Sequence, residues 1–248
     1  MRKFWTDLSC LWQEQMAEVR VNWMWYALFS VMLPIILVFG FTRIGTGLTD
    51  ETSLLYIISG SIILSLASDG IYGMAIKIGE MKHENTLIYY TSLPINRLAF
   101  ILSLILSRLI VTLPGMIVPL LYGVIFYDFE VNINIWMLLL VPMISISFAI
   151  IGLFIGIWIK SLNLIQLAVN ALLFVTLLAS PVFMPLEALP VPLQAFAYVL
   201  PMSYAAAALR DSLMGNFSVE FYLNMAVFFI TTAGTVMIIM RYWQWREA

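Results

Sequence analysis

The chain has 248 residues, 62% hydrophobic and 10% charged, with a net charge of −2. Soluble domains carry about 25% charged residues, so this composition excludes an ordinary soluble enzyme and places the chain in a bilayer. One cysteine, Cys10, and one histidine, His83, exclude a disulfide framework and a multi-His or Cys-rich metal site within one chain.

Residues 2 to 22 mix Arg, Lys, Asp, Glu and Gln with aromatics. They lack the short apolar core and small-residue cleavage site of a signal peptide, so the first hydrophobic span is expected to be retained as an anchor. Residues 4 to 22 predict a helix. Trp5, Leu8, Trp12 and Val19 share one face, with Leu11 and Met16 close by, and Asp7, Glu14, Glu18 and Arg20 lie mostly elsewhere. Such a helix suits the headgroup region of a membrane; a helix docked on a partner is the alternative.

About 20 apolar residues cross a 30 Å hydrocarbon core. Six stretches qualify, roughly Trp23–Thr42, Leu54–Ile76, Ala99–Phe126, Ile135–Ile159, Gln166–Val182 and Phe221–Met240. Pro114 and Pro119 predict a kink or tilt in the third. Six spans put both termini on one side, and the positive-inside rule chooses the cytoplasm. Arg2, Lys3, Arg20, Lys77, Lys82, Arg97, Lys160, Arg241 and Arg246 then lie inside, against only Arg43 and Arg210 outside. Asp128 and Glu130, in a loop without basic residues, agree with this orientation.

Two charges fall inside spans, Asp69 in the second and Arg108 in the third. Helix rise puts each about 10–14 Å from the inner end of its span. Adjacent antiparallel spans would bring them together, so an Asp69–Arg108 ion pair is expected; a proton or substrate relay is the alternative. The loop between these spans opens charged, turns apolar at Leu87, Ile88, Tyr89 and Tyr90, and stops at Pro94. It predicts a short helix over residues 79 to 92, with Glu80, Lys82, His83 and Glu84 as its polar side. A plain connecting loop would leave those apolar residues uncovered.

Asn163, Gln166 and Asn170 are spaced i, i+3, i+7 and share a helical face. They suit either a translocation path or hydrogen bonds to a neighbouring helix. The stretch from Ser180 to Asn216 holds Pro181, Pro185, Pro190, Pro192 and Pro201. It is too proline-broken to be one span and too apolar for a solvated loop, which marks a built structure at one mouth of the protein.

Enzyme readings find little support. No GxxxxGK[ST] string exists, so the chain cannot bind ATP through a P-loop of its own. The only His lies in a polar loop without a GxSxG-like string, which argues against an intramembrane serine protease. One span carboxylate and no span His make a poor metal site.

Three segments together resemble the permeases of type 2 ATP-binding-cassette exporters. The loop after the second span carries Glu80, Glu84, Thr86, Leu87, Leu93 and Pro94, similar to that family's acidic residue, polar-Thr-Leu step and Leu-Pro stop. Before the last span, Pro185, Leu186, Glu187, Leu189 and Pro190 precede an apolar helix, followed by Pro201, Tyr204, Leu209 and Arg210, again as in the family. Arg20 and Asn22, before a span containing Pro34, add a weaker match.

The resemblance implies an all-α integral membrane protein with six transmembrane helices in one domain, residues 1–248. It implies an interfacial helix (1–22), a cytoplasmic coupling loop (77–98) and an extracellular cap of short re-entrant helices (181–220). It further implies two permease chains (homodimer or heterodimer), two separate ATP-binding subunits that carry ATP and Mg, and no cofactor on this chain. Glu80, Lys82, His83, Glu84, Thr86 and Leu87 would couple to the ATPase. Pro185, Glu187, Pro190, Pro201, Tyr204 and Arg210 would build the cap. Drugs, antibiotics, lipids and lipid-linked glycans are the implied cargo, and a bacterial or archaeal cytoplasmic membrane the implied site. Membrane lipids are expected partners; nucleic acid is not. A secondary transporter or a non-transporting scaffold or immunity protein remain alternatives. The first normally shows internal repeats and several intramembrane titratable groups, and this chain shows neither clearly.

Overall fold

The computed structural model describes residues 2–44, 51–127, 132, 134–183, 185–188, 190–198 and 200–242. Leu189, Asp128, Glu130 and Arg246 lie outside the described residues. Among those described the chain forms α-helices and no strand. The helices are α1 (Arg2–Val21), α2 (Trp23–Ile44), α3 (Glu51–Ala67), α4 (Gly73–His83), α5 (Thr86–Ser92), α6 (Arg97–Tyr127), α7 (Ile135–Trp158), α8 (Leu162–Ala179), α9 (Val191–Ala197), α10 (Pro201–Met214) and α11 (Val219–Tyr242).

Among the described residues four runs are long and apolar enough to cross a membrane: Trp23–Gly40, Thr52–His83, Arg97–Tyr127 and Ile135–Trp158. The stretch expected to be a fifth span is a shorter apolar helix, and the last expected span is the 24-residue α11. The second run is a helix that continues beyond the expected span of 54–76 to His83. Its 32 residues exceed a core of about 30 Å at roughly 1.5 Å per residue, and Lys77 in this extension is bridged to Glu18 of α1.

The α3–α4 run is the central post of the bundle. It carries a π-helical turn at Ser68–Tyr72 between α3 and α4. Ile58, Ile62, Ile63, Leu66 and Ala67 are fully buried, and α2, α6, α7 and α10 pack around them. Ser61 donates back to the Ile57 carbonyl at 2.7 Å, which lets a hydroxyl sit in this apolar core. The π turn is gripped by α7. A Cβ added at Gly152 would lie 2.8 Å from the Gly70 carbonyl oxygen, so a bare backbone is needed there. α6 runs unbroken through both Pro114 and Pro119.

The predicted helix over residues 79 to 92 is two pieces. α4 ends at His83, Asn85 takes a left-handed conformation (φ 60°), and α5 starts at Thr86. Asn tolerates that conformation better than other side chains, which is why the break falls there. Tyr90 and Leu87 of α5 are buried, whereas Ile88 and Tyr89 are 54% and 61% exposed.

α1 lies along the start of α6. Leu11 and Gln15 face the protein, while Trp5 and Trp12 stay exposed. Trp23, Trp25 and Trp158 are exposed at the same end of the bundle. Such a cluster of exposed indoles is the pattern of a membrane–water interface.

At the other end, α8 stops before Pro181. A 3₁₀ turn at Leu186–Ala188, then α9 and α10, follow. Ser180 and Ser203 are hydrogen-bonded at 3.0 Å, and the Tyr204 hydroxyl donates to the Tyr198 carbonyl at 2.8 Å. Arg210, 8% exposed, donates to the Pro181 carbonyl at 2.8 Å and stacks over the Tyr56 ring at 3.9 Å.

Candidate functional site

A cavity of about 710 Å³ opens between α2 and α8, floored by the α3–α4 run and reached by Arg108 of α6. Its size is that of a small-molecule site. Met32, Leu33 and Ile36 make an apolar wall on α2. The floor is polar at helical spacing: Ser65, Asp69, Gly73, Lys77 and Glu80 follow one face of the central post, about one turn apart.

Each charge on that floor is held differently. Asp69 accepts a 2.7 Å hydrogen bond from Ser30 of α2. Lys77 is bridged to Glu18 of α1, which also accepts a 3.5 Å hydrogen bond from Tyr26. Arg108 lies 5.9 Å from the Tyr26 ring centroid and against the bare backbone at Gly73. Asp69 and Arg108 thus line one cavity, but the direct ion pair expected from their equal depth is not formed among the described residues. Ser30 stands nearer because α2 packs directly on α3. Glu80 is exposed at the mouth.

Of the three amides in α8, only Asn170 reaches the cavity lining. Asn163 is exposed and Gln166 half-buried. Tyr26, Ser30, Lys77 and Gly73 escaped the sequence reading. The spacing 65, 69, 73, 77, 80 is a helical face readable from the sequence, and it would have added Lys77 and Gly73 to the site. Tyr26 and Ser30 carry no such signal.

The segment at the end of α4 forms a second candidate surface. Glu80, His83 and Glu84 are exposed there. Lys82 instead turns back to the last carbonyls of α7, at Ile157 and Ile159, and caps that helix. Thr86 is half-buried and Leu87 buried. Three carboxylates of α1 hold the underside. Glu18 takes Lys77, Glu14 takes the Tyr90 hydroxyl, and Asp7 accepts from the Asn96 backbone N–H at 3.1 Å. Burial, and then the Glu14 contact, push the Tyr90 phenol's pKa up, so Tyr90 remains a donor.

The remaining cap residues are peripheral. Pro185, Glu187 and Pro190 are exposed, and Pro201 opens α10 at its first position, where a missing N–H costs nothing.

A sequence model described as ABC-2 type transporter matches residues 6–214, most of the chain. The chain belongs to the ABC-2 type transporter family. The matched region runs from α1 through α10 and contains the cavity, the α4–α5 segment and the cap. No curated protein matches the chain closely enough to be named beside it. This ABC-2 chain is therefore a membrane permease component of a type 2 ABC transporter, a multi-pass membrane protein that works with an ATP-binding subunit. It is the non-catalytic part, and its sequence carries no P-loop of its own.

Proposed function

We propose that this permease forms an exporter from two permease chains and two ATP-binding subunits, which carry ATP and Mg. Six spans cross a bacterial or archaeal cytoplasmic membrane, with both termini inside and residues 181–220 capping the outer mouth. The cargo is an amphipathic or apolar compound such as a drug, antibiotic, lipid or lipid-linked glycan. The carrying observation is the groove between α2 and α8, which joins an apolar wall to a polar floor beside the α4–α5 segment. ATP draws the ATPases together, and the exposed turn at His83–Asn85 transmits that movement to α4 and the central post. Inward-open and outward-open arrangements are the two states.

The test is co-purification with ATPase measurement. The chain, extracted gently from its native membrane, should bring a stoichiometric ATP-binding-cassette ATPase whose turnover rises with candidate cargo. Glu84→Lys should weaken docking or uncouple hydrolysis from export, because like-charge contact at an interface is costly. A chain that purifies without any ATPase in several mild detergents overturns the proposal.

A further inference from the structure

The groove carries two opposite charges that do not meet. Asp69 accepts from Ser30 and points into the cavity lining, and Arg108 lies about one helical turn closer to the α4 end, over Gly73. A Cβ at Gly73 would sit 3.1 Å from the Arg108 Nη1, so the missing side chain is what lets the guanidinium lie against the floor. Among the described residues Arg108 makes no hydrogen bond or close ion pair; the Tyr26 ring lies against it, and its charge reaches Asp69 only through space across the groove. The neighbouring Lys77 is already neutralised by Glu18.

Resting on the transport reading above, we infer that this groove binds the headgroup of a zwitterionic amphiphile, its ammonium on Asp69 and its anionic group on Arg108, with its tail along the apolar wall of α2. With Lys77 held by Glu18 and Glu80 in water at the mouth, the charge accounting inside the groove turns on Asp69 and Arg108 and selects this class. A cationic ligand satisfies Asp69 but meets Arg108 one turn away, and an anionic ligand satisfies Arg108 but meets Asp69; like-charge juxtaposition in a partly desolvated site is costly. An apolar ligand leaves both charges to be desolvated with nothing in return. A group carrying both signs on a short arm satisfies both, and the fork of Arg108 suits a phosphate or carboxylate. Met32, Leu33 and Ile36 then give the tail a lining that a polar solute would not use.

The experiment uses the full chain in non-ionic maltoside micelles and three fluorescent probes with one common alkyl tail: an alkyl sulfobetaine, whose ammonium lies between tail and anion as Asp69 lies between the apolar wall and Arg108, an alkyltrimethylammonium and an alkyl sulfonate. The sulfobetaine should bind at least about tenfold more tightly than either single-charge probe. Arg108→Gln should erase its advantage over the ammonium probe, and Asp69→Asn its advantage over the sulfonate probe. Equal binding of all three to the wild-type chain, or unchanged ratios in either variant, overturns the inference. If a variant is not monodisperse, Ser30→Ala replaces it. That change removes only the hydrogen bond orienting Asp69 and should narrow the zwitterion-to-anion ratio; an unchanged ratio again overturns the inference. A tail-less sulfobetaine should bind far more weakly, and equal affinity overturns the amphiphile. Micelle binding needs no ATPase. Lost discrimination with ATPase stimulation intact removes this inference alone, and intact discrimination without an ATPase partner removes the transport reading alone.

Discussion

Arg210 serves three elements at once: its own helix α10, the Pro181 carbonyl where α8 ends, and the Tyr56 ring on α3. Arg210→Met should leave the Pro181 carbonyl without its donor and destabilise the protein by about 2 kcal/mol. Arg210→Lys keeps the charge but loses the planar fork, and should cost about half of that. Thermal unfolding of the purified variants reads both, and equal midpoints for wild type and Arg210→Met would remove the cap tie. The Glu18–Lys77 bridge is half-exposed on its carboxylate side, so Glu18→Gln should cost about 1 kcal/mol or less by the same measurement. At this scale charge in an apolar context was legible: Asp69 and Arg108 announced themselves by rarity, and Arg210 by its place in the family-like stretch before the last span. Their partners were not. Helix rise gives depth but not rotation or neighbour, so nothing in the sequence says that Ser30 of α2 reaches Asp69 first. Lys82 read as a polar surface residue, and only the packing of α4 on α7 turns it toward the carbonyls at Ile157 and Ile159.

Between α4 and α5 the chain turns at a single left-handed residue, and that residue decides where one helix stops and the next begins. Asn85→Gly should leave stability within a few tenths of a kcal/mol, because glycine adopts positive φ freely. Asn85→Val should cost about 1–2 kcal/mol, because a β-branched side chain cannot. Thermal midpoints of the two variants check this, and a Val variant as stable as wild type would show that the turn relaxes. Gly152 poses the matching question one helix away. Gly152→Ala must push α7 off the π turn at Ser68–Tyr72, so it should lower the midpoint by more than an alanine placed on the exposed face of α7. The helices themselves were readable because hydropathy and proline placement are local properties. The sequence reading ended the second span at Ile76, before Lys77, and could not show that the helix itself runs on to His83 with Lys77 partnered. Glu18, 59 residues away in sequence, is that partner. The π turn left no local sign beyond the pair Asp69–Gly70, since its cause is the close approach of α7.

The molecule as a whole is an asymmetric column. At one end lie α1, the exposed Trp side chains, and the α4–α5 turn; at the other lie α9, α10 and the Arg210 tie. Basic residues gather at the first end, which the proposed topology places in the cytoplasm. The native Cys10 is exposed on α1 and is the only cysteine, so it is a ready-made reporter for that end. Asn216, exposed just after α10, can report for the other side. In intact cells a membrane-impermeant maleimide should label Asn216→Cys in a Cys10→Ser background, and should label wild-type Cys10 only after permeabilisation. The result bears on more than orientation. Six crossings from α2 through α11 require α8 and α11 both to span, although α8 is short for a bilayer of about 30 Å. Labelling of Asn216→Cys from outside, with Cys10 protected, requires an odd number of crossings between them, as five spans before the cap supply. Labelling of both sites from the same side would mean that α8 turns back without crossing.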